Sequence, residues 1–174
     1  LESHQAKGAK AEVQLLGSGT ILQQVREAGR ILAADFGVNA KVYSATSFNE
    51  LARNGYDVER YNMLNLGGKA KQAYVTQVLA DAKGPTIAAT DYMKQYADQI
   101  RAWVPTAYRV LGTDGYGRSD SRENLRRHFE VNAQYIVVAA LTELAKAGDI
   151  EVKVVEQAIK DFNIDTNKIN PLYA

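Results

Sequence analysis

Apolar and polar residues along this chain follow two alternating periods, and each switch between them marks an element boundary. Ala11-Glu12-Val13-Gln14-Leu15-Leu16 alternates and then turns apolar, as a short strand does. After Gly17-Ser18-Gly19-Thr20, the residues Ile21, Leu22, Val25, Ala28, Gly29, Leu32 and Ala33 recur at helical spacing until Gly37 offers a stop. A second strand over residues 40–43 runs into Ser44-Ala45-Thr46-Ser47. Ser47 with Glu50 three residues on is a capping-box signature that opens a helix expected to end near Gly55. A separate amphipathic piece is expected over residues 57–64, with Tyr56, Tyr61 and Met63 as packing residues. Residues 65–72 break the pattern and predict an exposed loop. A short helix over 74–80 and the Lys83-Gly84-Pro85 turn come next.

The third strand is Thr86-Ile87-Ala88-Ala89-Thr90, and Asp91 is expected to cap a helix whose apolar face is Tyr92, Tyr96, Ile100 and Trp103, ended by Pro105. Residues 108–111 form a fourth strand. Residues 135–141 suit a strand or a helix by composition; Asn132 as a cap, Leu144 as an extension and Gly148 as a stop favour the helix. Residues 151–162 are amphipathic with a helical period. Four strands separated by helices predict an α/β protein with a parallel, doubly wound sheet. Residues 1–10 are polar and aperiodic, and are expected to be a linker or extended leading arm with His4 solvated; residues 11–174 are expected to be one domain.

Composition narrows the function classes. The 21 Lys and Arg residues stand against 20 Asp and Glu, and a net charge of +1 creates no global field to draw in nucleic acid or an anionic membrane, so neither is expected as a partner. There is no cysteine, which removes disulfides, thiolate metal sites and thiol nucleophiles and agrees with a reducing compartment; a cytoplasmic protein is expected. No apolar run approaches the roughly 20 residues of a membrane span, and the first ten residues lack the regions of a signal peptide. The chain begins with Leu rather than Met, which points to a piece of a longer protein.

Chemistry concentrates between residues 108 and 129. A strand enters Gly112-Thr113-Asp114-Gly115-Tyr116-Gly117-Arg118, and Asp120 with Glu123 forms a second capping-box signature that starts a helix. Loops at the carboxyl ends of strands line the crevice where ligands sit in open α/β sheets. Arg118, Arg122 and Arg126, spaced four apart, would share a face and could bind a phosphate or carboxylate by paired hydrogen bonds. The alternative favoured by the sequence is ion pairing with Asp114, Asp120, Glu123 and Glu130 or with a second subunit. His128 has neither a nearby nucleophile nor a carboxylate partner in sequence and is expected to be structural or interfacial. The candidate interface or anion-binding residues are therefore Asp114, Gly115, Tyr116, Gly117, Arg118, Asp120, Arg122, Arg126 and His128, with no catalytic, cofactor-binding or metal residue among them.

Two motifs are incomplete. Gly17-Ser18-Gly19 has Leu22 where a dinucleotide fingerprint needs its third glycine, so a tight strand-to-helix turn is expected there. Thr113-Asp114-Gly115 resembles the Gly-Asp-Gly start of a thiamine diphosphate and magnesium site, but the first glycine is a threonine and no paired asparagine follows at the motif's distance.

The stretch from Gly112 to Val131 resembles the C-terminal domain of the homodimeric pyruvate dehydrogenase family. Val13-Gln14-Leu15-Leu16-Gly17-Ser18-Gly19, Tyr43-Ser44-Ala45-Thr46-Ser47-Phe48-Asn49-Glu50-Leu51 and Thr90-Asp91-Tyr92-Met93-Lys94 resemble it too, and residues 65–73 depart from it. The resemblance implies a transketolase C-terminal fold, a mostly parallel five-stranded sheet with one antiparallel strand and helices on both faces. It also implies a full-length enzyme that decarboxylates pyruvate on thiamine diphosphate with Mg and passes the acetyl group to the lipoyl group of dihydrolipoyl acetyltransferase. In that family the cofactor lies in preceding domains across a dimer interface, so the expected role here is subunit packing against a second copy, without catalysis by the chain alone. A free-standing nucleotide-binding domain is a weaker alternative.

Overall fold

The structure, a computed structural model, describes residues 1–174. Its centre is a five-stranded sheet in the order β1-β3-β2-β4-β5, formed by β1 (Glu2–His4), β2 (Ala11–Gly17), β3 (Val38–Ser44), β4 (Thr86–Ala89) and β5 (Tyr108–Leu111). Strands β2 to β5 are parallel to their neighbours, and β1 runs antiparallel along β3. Seven α-helices complete the fold: α1 (Leu22–Asp35), α2 (Phe48–Leu64), α3 (Tyr74–Val78), α4 (Lys94–Asp98), α5 (Arg122–His128), α6 (Ala133–Ala147) and α7 (Val152–Asp161).

Because side chains alternate across a strand, the sheet feeds two cores. Val13, Leu15, Ile87 and Ala89 point to one face and join α1, α6 and α7 in a cluster of 22 buried residues. Leu16, Ala88, Tyr108 and Val110 point to the other and meet α2, α3 and α4 in a cluster of 13. The mixed sheet with helices on both faces agrees with the expected architecture, and two of the expected helix ends are present: Asn132 Oδ1 accepts from Tyr135 N–H at 3.1 Å, and Gly148 closes α6.

Several boundaries differ from the sequence reading. The fifth strand comes from residues read as a linker: Glu2, Ser3 and His4 pair with Val42, Lys41 and Ala40. His4 is correspondingly half-buried rather than solvated, with its ring over Gly29 of α1. Helix α2 runs unbroken through Gly55, because the Trp103 indole lies where a Cβ at that position would sit; the glycine answers a close approach and not a chain reversal. Tyr56 packs edge-on to the same indole at 4.9 Å yet remains exposed, as does Met63, so neither is a core residue.

Asp91 caps no helix. Helix α4 begins three residues later, and a short 3₁₀ turn over Arg101–Trp103 replaces its expected continuation. Asp91 instead ties strand ends together: its carboxylate accepts from the Thr20 hydroxyl at 3.2 Å and its carbonyl from the Thr113 hydroxyl at 2.6 Å. At α5 the cap is Ser121, whose hydroxyl accepts from Asn124 N–H at 3.2 Å, and not Asp120 with Glu123.

Candidate functional site

The strand order creates the site. The chain leaves β2 toward β3 on one side and then returns to form β4 on the other, so the connections diverge at the carboxyl ends of β2 and β4. Such a switch point leaves a crevice that neither crossover fills. Hydroxyl groups brace its floor. Ser18 Oγ donates to Thr90 Oγ1 at 2.9 Å in a buried contact between the two loops, and the Thr20–Asp91–Thr113 links described above carry the bracing across to β5.

The loop after β5 forms one wall. Gly115 has φ of 105° and lies so close to the Pro171 carbonyl that a side chain would overlap it, which draws the loop against the C-terminal segment. The chain then returns through Gly117 and Arg118 into α5. The result is an open cleft of about 350 Å³ lined by Arg118, Arg122 and Arg126, with Ile21, Leu125, Phe129 and Val131 as its apolar side. Arg118 lies outside α5, so it is the folded-back loop and not a continuous helical face that brings the three arginines together.

Three of the four acids expected to neutralise these arginines are engaged elsewhere, and the fourth, Glu123, lines a neighbouring depression with Arg122 and Arg126. Asp114 accepts from Lys94 N–H at 3.1 Å and faces the Lys94 ammonium at 3.5 Å. Asp120 accepts from Ser121 N–H and from the Asn124 amide, and these bonds hold its carboxyl below the ordinary carboxylate range. Glu130 pairs with Lys168 at 3.0 Å. No carboxylate lies within ion-pair distance of Arg118, Arg122 or Arg126, which corrects the expectation of ion pairs with these four acids. Arg127, by contrast, points away and donates to the Asn163 carbonyl at 2.7 Å.

His128 sits behind Arg118 in an adjoining depression with Asp120 and Asn124. Its ring packs edge-on to Phe129 at 4.8 Å and its Nε2 is buried without a partner. Burial first, then the Arg118 and Lys168 charges, push the imidazole below its ordinary value and favour the neutral form. Tyr116 projects from the loop tip, 82% exposed, and contributes nothing to the cleft.

Thr20, Asp91 and Thr113 are the polar cleft residues that the sequence does not assign to a site; Thr20 and Thr113 are marked there only by their place after predicted strands, and Asp91 only as an expected helix cap. A larger apolar groove of about 760 Å³ lies at the carboxyl ends of β2 and β3, between α2 and α3, where Tyr43, Leu51, Tyr74 and Val78 face it.

The fit to thiamine diphosphate with Mg fails on donor chemistry. Asp114, the residue at the motif-like position, is taken by Lys94, and nowhere do three His, Asp or Glu side chains gather as metal ligands would.

Comparison with known proteins places the chain among relatives. The family model described as a transketolase-like C-terminal domain matches residues 2–132. The chain is 61% identical over 169 residues to the pyruvate dehydrogenase E1 component of Escherichia coli strain K12, covering 97% of this chain and 19% of that protein. It is 58% identical over 174 residues to the E1 component of Haemophilus influenzae, covering 99% and 19%. The E1 component of Pseudomonas aeruginosa is 58% identical over 167 residues, covering 95% and 19%. The chain thus spans 19% of the length of these curated relatives. Among solved structures, a split-gene transketolase described as an inactive β4 tetramer superposes with a TM-score of 0.52 at 14% identity, covering 77% of this chain and 39% of that one. Transketolase from Campylobacter jejuni superposes at 0.50 and 19% identity, covering 79% and 17%.

Proposed function

The chain belongs to the transketolase-like C-terminal domain family, and from that membership we propose that it serves as the C-terminal domain of a pyruvate dehydrogenase E1 component. The observation that carries the reading is 61% identity over 97% of the chain to an E1 component. The whole protein would be an oxidoreductase of pyruvate metabolism, at the exit from glycolysis, that decarboxylates pyruvate and reductively acetylates the lipoyl group of dihydrolipoyl acetyltransferase. It would act as a homodimer in the cytoplasm; no helix here is long and apolar enough to cross a membrane.

Thiamine diphosphate with Mg supplies the electron sink for the decarboxylation, and its ligands would come from other parts of the longer polypeptide, since this chain offers none that fit. The chain's own contribution is scaffolding. Its sheet presents two surface depressions along one carboxyl edge, against which neighbouring domains or a second copy would pack.

The test compares the 174-residue chain with the longer polypeptide. The chain alone is expected to show no magnesium-dependent binding of thiamine diphosphate by calorimetry, while the longer polypeptide acetylates lipoyl domains from pyruvate and loses dimer stability when residues 1–174 are deleted. Magnesium-dependent saturation of the isolated chain would overturn the scaffold reading.

A further inference from the structure

The cleft over β2, β4 and β5 has a charge and a shape that the scaffold role leaves unused. Three arginines line it without an ion pair in the chain; Asp91 is the one carboxylate in its lining, and Glu123 lies in the adjoining depression with Arg122 and Arg126. The lining therefore sums to about +2, and to about +1 with Glu123 counted, a positive balance suited to the charge of roughly −1.5 to −2 on a phosphate monoester near neutral pH. The guanidinium fork bonds phosphate oxygens in pairs, so three of them can hold one phosphate from several sides.

Like charges brought together without partners repel, and in a protein of net charge +1 this cluster is a local exception. Simple surface solvation would let three long side chains spread apart. Here the backbone places all three along one cleft: the loop is drawn in at Gly115 against Pro171, Ser121 starts α5, and Arg122 and Arg126 then lie one turn apart. The Thr20 and Thr113 hydroxyls lie beside them on the strand ends. A volume of about 350 Å³ is at the small end of ligand clefts, which run from about 300 to about 1,000 Å³.

We propose that this switch-point cleft is a binding site for a small phosphorylated molecule, held by Arg118, Arg122 and Arg126. The site goes beyond the scaffold role and does not depend on it. Binding needs no divalent metal, which separates it from any thiamine diphosphate site.

The test titrates the 174-residue chain at low ionic strength, without divalent cations, with inorganic phosphate, glycerol phosphate and citrate, read by calorimetry and amide chemical shifts. Phosphate and glycerol phosphate are expected to saturate, with shifts confined to Thr20, Asp91, Thr113 and residues 115–126. R122Q/R126Q should weaken binding about tenfold or more, the equivalent of about 1.4 kcal/mol or more. R60Q on α2 should leave it unchanged. D91N, which removes the negative charge while keeping the side chain's size, should tighten binding, a change that a purely structural role for Asp91 would not produce.

Absence of saturation, shifts spread over many surface cations, or equal losses in R60Q would overturn the proposal. So would preferential binding of citrate. If the arginine variants alter self-association in sedimentation while phosphate binding is unchanged, the cluster is a subunit contact and the proposal fails. Thermal melting of each variant separates a lost site from a lost fold.

Discussion

At position 55 the lack of a side chain lets the Trp103 indole lie directly on the backbone of α2. The indole has little room to retreat, because its Nε1 donates to Glu59 at 2.9 Å and the Trp103 carbonyl accepts from the Thr76 hydroxyl at 2.6 Å. In an open helix, Gly55→Ala would gain about 1 kcal/mol from propensity. Here overpacking, which typically costs about 1–3 kcal/mol, opposes that gain. The expected outcome is a net loss of up to about 2 kcal/mol in chemical denaturation, the overpacking cost less the propensity gain; a gain would show that Trp103 moves freely. Glu143 illustrates the opposite case, a charge retained in a crowded place. Burial alone would raise its carboxyl, but hydrogen bonds from Arg109 at 2.6 Å and Lys146 at 3.1 Å outweigh it and hold the group below its ordinary value. A lowered folded value stabilises the protein above the unfolded value of about 4.3, and that contribution disappears as pH falls through the folded value. Glu143→Gln is expected to cost about 1–3 kcal/mol at neutral pH and to flatten the acid limb of the stability curve. An unchanged acid limb in denaturant melts from about pH 6 to about pH 3 would assign that limb to other carboxylates.

At the scale of elements, legibility depended on how far apart the partners lie. Ser47 and Asn132 were readable as caps because each bonds an amide three residues ahead. The start of α5 was misread by one residue since Asp120/Glu123 and Ser121/Asn124 offer overlapping versions of the same spacing, and the hydrogen bond goes to the second. Strand β1 was not readable at all. It is three polar residues long, lacks an apolar face, and gains its structure from β3, whose residues lie 36–40 positions later. Its value is in what it covers. Without it, β3 would expose an unpaired edge of seven residues, the kind of edge that templates association. Deleting residues 1–5 removes the three ladder pairs and the Arg26–Glu2 ion pair at 2.6 Å. The truncated chain is expected to melt earlier and to self-associate with rising concentration in sedimentation experiments. A monodisperse truncated chain of unchanged midpoint would mean that β3 is protected by other means.

Across the whole molecule, the parallel α/β class was legible because each buried strand carries its own apolar run, whereas the assembly of the cleft was not. The loop and its arginines could be picked out locally. Thr20 and Asp91, 71 residues apart, meet only because β4 pairs with β2, and no local period specifies strand order. That pairing also divides the molecule into two unequal halves. On one side α1 and α6, of 14 and 15 residues, enclose the cluster of 22 buried residues. On the other, α3 and α4 have five residues each, neither has a side-chain cap, and the cluster holds 13. Helices this short gain almost nothing from their own hydrogen bonds and persist through packing alone. Local opening should therefore begin on the smaller face while the strands and the larger core stay closed. Native-state hydrogen exchange is expected to show α3 and α4 opening at free energies well below those of β2, β4, α1 and α6, which should approach global unfolding. If amides of α3 and α4 exchange only with the whole molecule, the central strands couple both faces into one cooperative unit, and the difference in core size has no dynamic consequence.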